Sequence, residues 1–161
     1  MHVSHISPVE FDAELIARHD GSGPRYTSYP TADRFTQGHA VPNYLNALHS
    51  RQAQRPGAAL SLYVHLPFCD TVCYYCACNK IATKDRGRAD VYLDYLEREI
   101  ALVRAEFDQQ PEVSQLHFGG GTPTFLTNAQ FERLMAILKK GFTFKPDAEL
   151  SIEVDPRRLH D

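Results

Sequence analysis

Segments with the pattern of strands alternate with segments with the pattern of helices between residues 60 and 154, and this alternation constrains the fold most strongly. Three short apolar stretches, 60–66, 113–118 and 149–154, are typical of strands. Apolar residues recur at helical spacing between them, over 89–107 and after Thr127. Strands that are separated by helices of this length pair in parallel through crossover connections. The sequence therefore predicts an α/β fold.

The segment before these strands has a different pattern. Residues 8–19 and 41–52 have the apolar spacing of helices, and a stretch rich in Gly, Pro and hydroxyl groups separates them. We therefore expect an amino-terminal extension of helices and a loop over 1–58, followed by the α/β part over 59–161. A three-stranded parallel sheet would normally continue, so we also expect the chain to be an incomplete, amino-terminal fragment of a longer protein.

Composition and charge exclude several classes of protein. With 161 residues and 43% hydrophobic content, the chain can form one globular domain with a core. Its formal net charge of -3 gives no general attraction to nucleic acid or to anionic membranes. No apolar run approaches the length of a membrane span, and the amino-terminal residues lack the pattern of a secretory signal. We therefore expect a cytoplasmic protein that binds neither nucleic acid nor membranes.

All four cysteines of the chain follow the first predicted strand, with the spacing C-x3-C-x2-C-x-C. They are Cys69, Cys73, Cys76 and Cys78. In a reducing cytosol such a cluster indicates metal ligands rather than disulfides. Three thiolates would leave one iron of a [4Fe–4S] cluster open to a ligand. A zinc site that also uses Cys78 is the alternative, although zinc ligands usually come as two separated pairs.

Two more unusual features follow the other predicted strands. The glycine-rich run GGGTPT begins at Gly119, after the second strand, and Glu153 lies at the end of the third. Ligands of parallel α/β folds bind beyond the carboxyl ends of the strands, where these features and the cysteines would meet. The exposed backbone of the glycine run can hold a carboxylate or amine, or can form a tight turn without a ligand. Glu153 can accept from ribose hydroxyls or cap a helix.

Aromatic side chains near the cysteines are further candidates. Tyr63 and His65 alternate with apolar residues on the first strand, so both can face the interior of a barrel. His65 is the candidate catalytic residue, although a lone histidine in such a place is more often a hydrogen-bonded core group. Tyr75 lies within the cysteine loop, where its ring can stack on an adenine or pack within the loop.

Several motifs together carry a resemblance to a known family. The segments RYTSYPTA, LYVHLPFC, CYYCACNK, LHFGGGTPT and SIEVDPR run from about residue 23 to residue 158. With them the chain resembles the oxygen-independent coproporphyrinogen III oxidase (coproporphyrinogen dehydrogenase) family of the radical SAM superfamily, at its amino-terminal end. This resemblance implies three βα units of a partial (β/α)6 barrel, preceded by the helical and loop extension.

The resemblance also implies cofactors and the residues that hold them. A [4Fe–4S] cluster would be ligated by Cys69, Cys73 and Cys76, and its open iron would bind S-adenosyl-L-methionine, while Cys78 would have no ligand role. Family members hold two S-adenosylmethionine molecules. The matching positions are, for the cluster-bound molecule, Tyr63, Gly120 and Glu153, and for the second molecule, Tyr75, Gly121 and Thr122.

The implied reaction is the anaerobic oxidative decarboxylation of coproporphyrinogen III to protoporphyrinogen IX in haem biosynthesis. A 5′-deoxyadenosyl radical would remove hydrogen from a propionate side chain, which then loses carbon dioxide. The implied partners are the substrate and a reductant of the flavodoxin or ferredoxin type, and we expect a monomer. Two alternatives stay open: a haem chaperone-like radical SAM protein and a non-enzymatic zinc-binding module. RYTSYPTA and the C-x-C completed by Cys78 favour the oxidase over the chaperone.

Overall fold

The computed structural model describes residues 11–21, 31–74, 76 and 78–155, and its contacts divide the chain into two units after Ala40. The first unit contains helix α1 (Ala13–His19) and a 3-10 turn (Ala32–Arg34). Helix α1 begins later than predicted because Asp12 caps it, with Oδ1 accepting from the N–H of Leu15 at 2.9 Å. The predicted helical residues 8–10 and most of the RYTSYPTA loop lie outside the described residues.

The second unit, Val41–Asp161, contains the other regular elements of the described chain. The predicted domain boundary after residue 58 stays a prediction. The elements are helix α2 (Val41–Gln54), strands β1 (Leu60–Leu66), β2 (Phe68–Cys69) and β3 (Ile81–Ala82), helix α3 (Gly87–Ala105), strand β4 (Glu112–Gly120), a 3-10 turn (Pro123–Phe125), helix α4 (Asn128–Gly141) and strand β5 (Thr143–Ile152).

The main sheet has the order β1-β4-β5, and both pairs are parallel. This confirms the predicted α/β fold. Strand β5 begins earlier than predicted, at Thr143, and its pairing with β4 is irregular between Val113 and Gln115. Pro146 lies in this irregular stretch and has no N–H to donate to a ladder, which accounts for the weak strand pattern there.

Helices α3 and α4 pack on one face of the main sheet. The core contains Leu93 of α3, Leu134 and Leu138 of α4, and Leu66 and Leu116 of the sheet. Each of these leucines is at most 1% exposed, and burying such a side chain contributes roughly 1.5–3 kcal/mol to stability.

Helix α4 begins where the sequence predicts. Thr127 and Gln130 form the capping box, with Thr127 Oγ1 accepting from the N–H of Gln130 at 3.3 Å. The side chain of Gln130 accepts in return from the N–H of Thr127 at 3.0 Å. None of the helices in the described part of the chain has the length and apolar character that crossing a bilayer requires.

The other face of the main sheet carries polar side chains. Because successive residues of a strand point to opposite faces, alternate positions of each strand share this face. The ladder pairs Tyr63 of β1 with His117 of β4, and His117 with Ser151 of β5. This row of aromatic and polar groups runs across the sheet and leads to the carboxyl ends of the strands.

A second, very short parallel pair lies beside the main sheet and is absent from the sequence prediction. Phe68 pairs with Ile81 and Cys69 pairs with Ala82. Strands of two residues are too short to show an alternating pattern, so periodicity alone does not reveal them. The pair closes the base of the loop that carries the other three cysteines.

Candidate functional site at the carboxyl ends of the strands

The glycine-rich turn after β4 packs directly against neighbouring groups of the site. Gly120 has a φ of +113°, which disfavours other residues, and a Cβ there would lie 2.8 Å from Cε1 and Nδ1 of His65. A Cβ on Gly121 would lie 2.7 Å from the carbonyl oxygen of Phe68. The N–H of Gly121 donates to the carbonyl oxygen of Leu66 at 2.8 Å. The glycines therefore let this turn approach the end of β1 closely.

Glu153 follows the last residue of β5 and is held at the same edge. Its N–H donates to the carbonyl oxygen of Phe118 at 2.9 Å. Its Oε2 accepts from the N–H of Gly120 at 3.1 Å, and its Oε1 lies 3.4 Å from Nε2 of His117. The side chain is 53% exposed, and a carboxylate has about four acceptor positions, so acceptor capacity remains for a ligand.

Tyr63 and His65 form a chain of hydrogen bonds on β1. Nε2 of His65 lies 2.8 Å from the carbonyl oxygen of Asn79; a carbonyl only accepts, so Nε2 carries the proton. Nδ1 then accepts from the Tyr63 hydroxyl at 3.2 Å. Both ring nitrogens of His65, the candidate catalytic residue, are thus engaged.

The hydroxyl of Tyr63 is protonated at neutral pH. Partial burial raises the pKa of Tyr63, and the nearby charges of Glu153 and Cys78 raise it further. Tyr63 and Glu153 also pack against the same glycine, since a Cβ on Gly119 would lie 2.9 Å from the Tyr63 ring and 3.0 Å from Cδ of Glu153. The structure therefore brings together the predicted site residues Tyr63, Gly120 and Glu153.

Cys69 is the cysteine that the protein fixes most firmly. It is 7% exposed, and its carbonyl oxygen accepts from the N–H of Thr83 at 2.9 Å. Its Sγ accepts from the hydroxyl of Thr122 at 3.6 Å. Strand pairing on one side and the glycine-rich turn on the other thus set the position of Cys69.

The other three cysteines lie on the loop beyond Cys69. Cys73 and Cys78 are exposed, and Cys76 is partly buried. The N–H of Cys78 donates to Sγ of Cys76 at 3.4 Å, which lowers the pKa of the Cys76 thiol, and Lys80 acts in the same direction. The hydrogen bond with Cys76 and the charge of Cys76 raise the pKa of the Cys78 thiol. This asymmetry favours the thiolate, the form that binds metal, at Cys76 rather than at Cys78.

The chemistry of the cysteines fits an iron–sulfur cluster. All four are free of disulfides. Within the described residues, no group of three His, Cys, Asp or Glu side chains is close enough together to hold a metal ion. Binding of a metal supplies free energy that can draw thiolates together. Tyr75, the other predicted site residue of this loop, lies outside the described residues.

Arg86 links the start of the cysteine loop to the glycine-rich turn. Its Nη2 lies 2.9 Å from Oδ2 of Asp70, and its Nη1 donates to the carbonyl oxygen of Phe125. The guanidinium also lies over the ring of Phe125, 4.0 Å from its centre. The carbonyl oxygen of Arg86 accepts from Nε2 of the buried Gln130 at 2.9 Å. These contacts border a cavity of about 200 Å³.

Several residues of the site were missed by the sequence prediction. They are His117, Ser151 and Asp70, together with the contact of Asp70 with Arg86. The first two have a sequence signal, because His117 and Ser151 lie two positions before Gly119 and Glu153 and therefore share their face of the sheet. The pair of Asp70 and Arg86 has none, since the two residues lie 16 positions apart in the sequence and an irregular loop separates them.

Comparison with known proteins places this chain in a family. The sequence profile of the Radical SAM superfamily matches residues 63–161. An oxygen-independent coproporphyrinogen III oxidase of Escherichia coli is 51% identical over 154 residues, which cover 96% of this chain and 33% of the relative. A protein of the same name from Mannheimia haemolytica is 48% identical over 94% of this chain and 100% of its own length.

A solved structure shows the same relationship. The coproporphyrinogen III oxidase of Escherichia coli, described as a radical SAM enzyme, superimposes with a TM-score of 0.77 at 47% identity. The match covers 94% of this chain and 32% of that structure, so the chain spans about a third of its length. The chain belongs to the radical SAM superfamily, and within it to the oxygen-independent coproporphyrinogen III oxidase family.

Proposed function

We propose that this chain supplies the amino-terminal part of an enzyme that decarboxylates coproporphyrinogen III oxidatively, without oxygen, to protoporphyrinogen IX in porphyrin biosynthesis. One observation carries the proposal: Cys69, the glycine-rich turn and Glu153 meet at one edge of the sheet in a chain that is 51% identical to an oxidase of that name. We further propose that residues 59–161 form the first half of the barrel.

Radical SAM proteins use a [4Fe–4S] cluster and S-adenosylmethionine. Cys69, Cys73 and Cys76 would hold the cluster, and Cys78 would remain a free thiol. When bound, the cluster and S-adenosylmethionine would supply the one-electron chemistry by which a propionate side chain loses a hydrogen atom and then carbon dioxide, while the remaining electron passes to a one-electron acceptor and a vinyl group is left. The position of Cys69 supports this assignment, because its Sγ already faces the hydroxyl of Thr122 in the glycine-rich turn.

Residues of the sheet edge would orient S-adenosylmethionine. Glu153 is exposed and keeps acceptor positions for ribose hydroxyls, while Gly120 holds its Oε2 in place. Tyr63 offers an exposed ring beside it. These residues would bind the cluster-bound molecule. For the second molecule we propose three other positions: Tyr75, Gly121 and Thr122.

The remaining features of the proposed enzyme concern its partners. A one-electron donor of the flavodoxin or ferredoxin type would reduce the cluster. We propose a monomer in the cytoplasm, where a reducing environment keeps the thiols of the cysteine loop available as ligands.

Anaerobic reconstitution with iron and sulfide tests the ligand set. Cys73→Ala is expected to lose the cluster, whereas the matched variant Cys78→Ser is expected to keep the iron and sulfide content of the unchanged chain. Both cysteines are exposed on the same loop, so loss of packing affects the two variants alike. Equal loss of iron in both would contradict the three-cysteine assignment. If the chain binds stoichiometric zinc and no iron, the proposed function changes from an enzyme to a zinc-binding module.

A further inference from the structure

His117 makes polar or stacking contacts with three side chains on the open face of the sheet. Its Nδ1 lies 2.8 Å from Oγ of Ser151, and its Nε2 lies 3.4 Å from Oε1 of Glu153. Its ring stacks on Tyr63, with ring centres 5.7 Å apart and an interplanar angle of 18°. His117 therefore joins the two side chains assigned above to S-adenosylmethionine.

The direction of these hydrogen bonds follows from the chemistry of the groups. A carboxylate only accepts, so Nε2 of His117 donates to Glu153. In the neutral imidazole Nδ1 is then the acceptor, and the hydroxyl of Ser151 donates to it. Ser151 is the register partner of His117 on β5, so the backbone ladder keeps the hydroxyl within reach of Nδ1. Ser151 thus holds Nδ1 of the imidazole, and Nε2 faces Glu153.

We propose that His117 is a positioning residue, which fixes the Glu153 carboxylate and the Tyr63 ring in the arrangement that binds S-adenosylmethionine. This inference rests on the proposed function. Without the imidazole, Glu153 keeps the hydrogen bond from Gly120 N–H at 3.1 Å but loses its neighbour at Oε1. Tyr63 keeps its bond to His65 but loses the stacked ring. Both side chains then gain rotational freedom that a ligand must remove when it binds.

A purely structural role for His117 does not account for its position. The core lies on the opposite face of the sheet, where the neighbours of His117 on β4, Leu116 and Phe118, are buried. The His117 side chain is 39% exposed and lies on the polar face. Its replacement therefore leaves the packing against α3 and α4 intact, and changes the site rather than the stability of the fold.

Three substitutions separate the contact of the imidazole with Glu153 from its contact with Tyr63. His117→Phe keeps a ring for Tyr63 but has no N–H for Glu153, His117→Gln keeps an N–H but no ring, and His117→Ala removes both. Gln115→Ala is the matched control, because Gln115 lies on the same face of the same strand and bonds to Glu149 at 3.1 Å, away from Tyr63 and Glu153. Glu153→Ala serves as the reference for complete loss of the carboxylate.

The first measurement is amide hydrogen exchange at Gly120 by NMR, which needs no cofactor. Gly120 N–H donates to Glu153, so its protection reports how firmly the carboxylate is held. We expect exchange roughly fivefold to tenfold faster in His117→Ala and His117→Phe, a smaller effect in His117→Gln, and none in Gln115→Ala. Unchanged exchange in His117→Ala, with faster exchange in Glu153→Ala, would overturn the positioning role.

The second measurement is titration of the anaerobically reconstituted chain with S-adenosylmethionine. We expect the dissociation constant to rise roughly tenfold in His117→Ala and less in the two single-contact variants, with unchanged iron content and urea midpoint. If Glu153→Ala weakens binding and His117→Ala does not, the inference fails while the proposed site stands. If neither Glu153→Ala nor His117→Ala alters binding of S-adenosylmethionine, the proposed site itself fails. Hydrogen exchange at Gly120 does not depend on that outcome, because it is measured without the cofactor.

Discussion

Replacement of two glycines by alanine offers a quantitative test of how the glycine-rich turn is packed. Gly57 and Gly120 both have positive φ, +73° and +113°. A Cβ at Gly57 would have no heavy atom within 4 Å, whereas a Cβ at Gly120 would lie 2.8 Å from two atoms of the His65 ring. Gly57→Ala therefore reports backbone strain alone, and Gly120→Ala reports strain together with the close approach.

The magnitude follows from these two contributions. A left-handed alanine costs roughly 1–2 kcal/mol, and the loss of flexibility in the unfolded chain offsets about 0.4–1 kcal/mol of that. Gly57→Ala is therefore expected to lower the free energy of unfolding by about 1 kcal/mol. At Gly120 the clash with His65 adds roughly 1–3 kcal/mol. A shift of the ring that breaks its bond to Tyr63 or Asn79 adds about 1 kcal/mol more. The expected difference between the variants is thus about 2–4 kcal/mol.

Urea denaturation followed by circular dichroism measures this difference, provided that the slope of free energy against urea is the same in both variants. The exchange rate of the backbone amide at position 120 offers a local check, because the displaced turn would also loosen its hydrogen bond to Glu153. A loss of stability that is equal in the two variants, within about 0.5 kcal/mol, would refute the close packing of His65 on the turn.

Two further predictions concern a helix end and the cysteine loop. Thr127→Ala removes the cap of α4 and is expected to lower the free energy of unfolding by about 1 kcal/mol. Thr127→Ser keeps the hydroxyl and should keep the stability. Urea titration measures both variants, and an equal loss of stability in the two would contradict a capping role. In the chain without a cluster, the lowered pKa of Cys76 and the raised pKa of Cys78 leave more thiolate at Cys76 near neutral pH. We expect iodoacetamide to label Cys76 before Cys78, as peptide mass spectrometry would show, and faster labelling of Cys78 would contradict the asymmetry.

The positions of the main strands and helices could be predicted because each carries enough residues for a periodic pattern. Strand β1 has the predicted bounds, and α4 begins directly after the predicted cap at Thr127. Strand β5 was predicted from its regular half only, since Pro146 interrupts the pattern in the other half. The β2–β3 pair was missed because two residues are too few for any period.

Gly120 and Glu153 were singled out by their place after strands and Tyr63 by the alternating pattern of β1, whereas the residues that contact them were not predicted. Tyr63, Gly120 and Glu153 lie together as the parallel topology requires. His117 was missed because a polar residue within a strand has no distinctive pattern until the register shows what lies opposite it. Arg86 and Asp70 are 16 residues apart, and no sequence rule connects two side chains across an irregular loop.

The candidate site combines rigid and adjustable parts, and this division determines which part a cluster would have to order. Glu153, His117 and Tyr63 are set by the ladders of three strands, so their relative positions cost little further ordering when a ligand binds. Cys69 belongs to the rigid part, whereas Cys73 and Cys76 lie beyond it on the loop closed by β2 and β3. Binding of the proposed cluster would then have to order the loop alone, because the sheet edge that would face the cofactor is already in place. Substitutions in the loop should therefore change cluster content first, and substitutions on the sheet should change the binding of S-adenosylmethionine at constant cluster content.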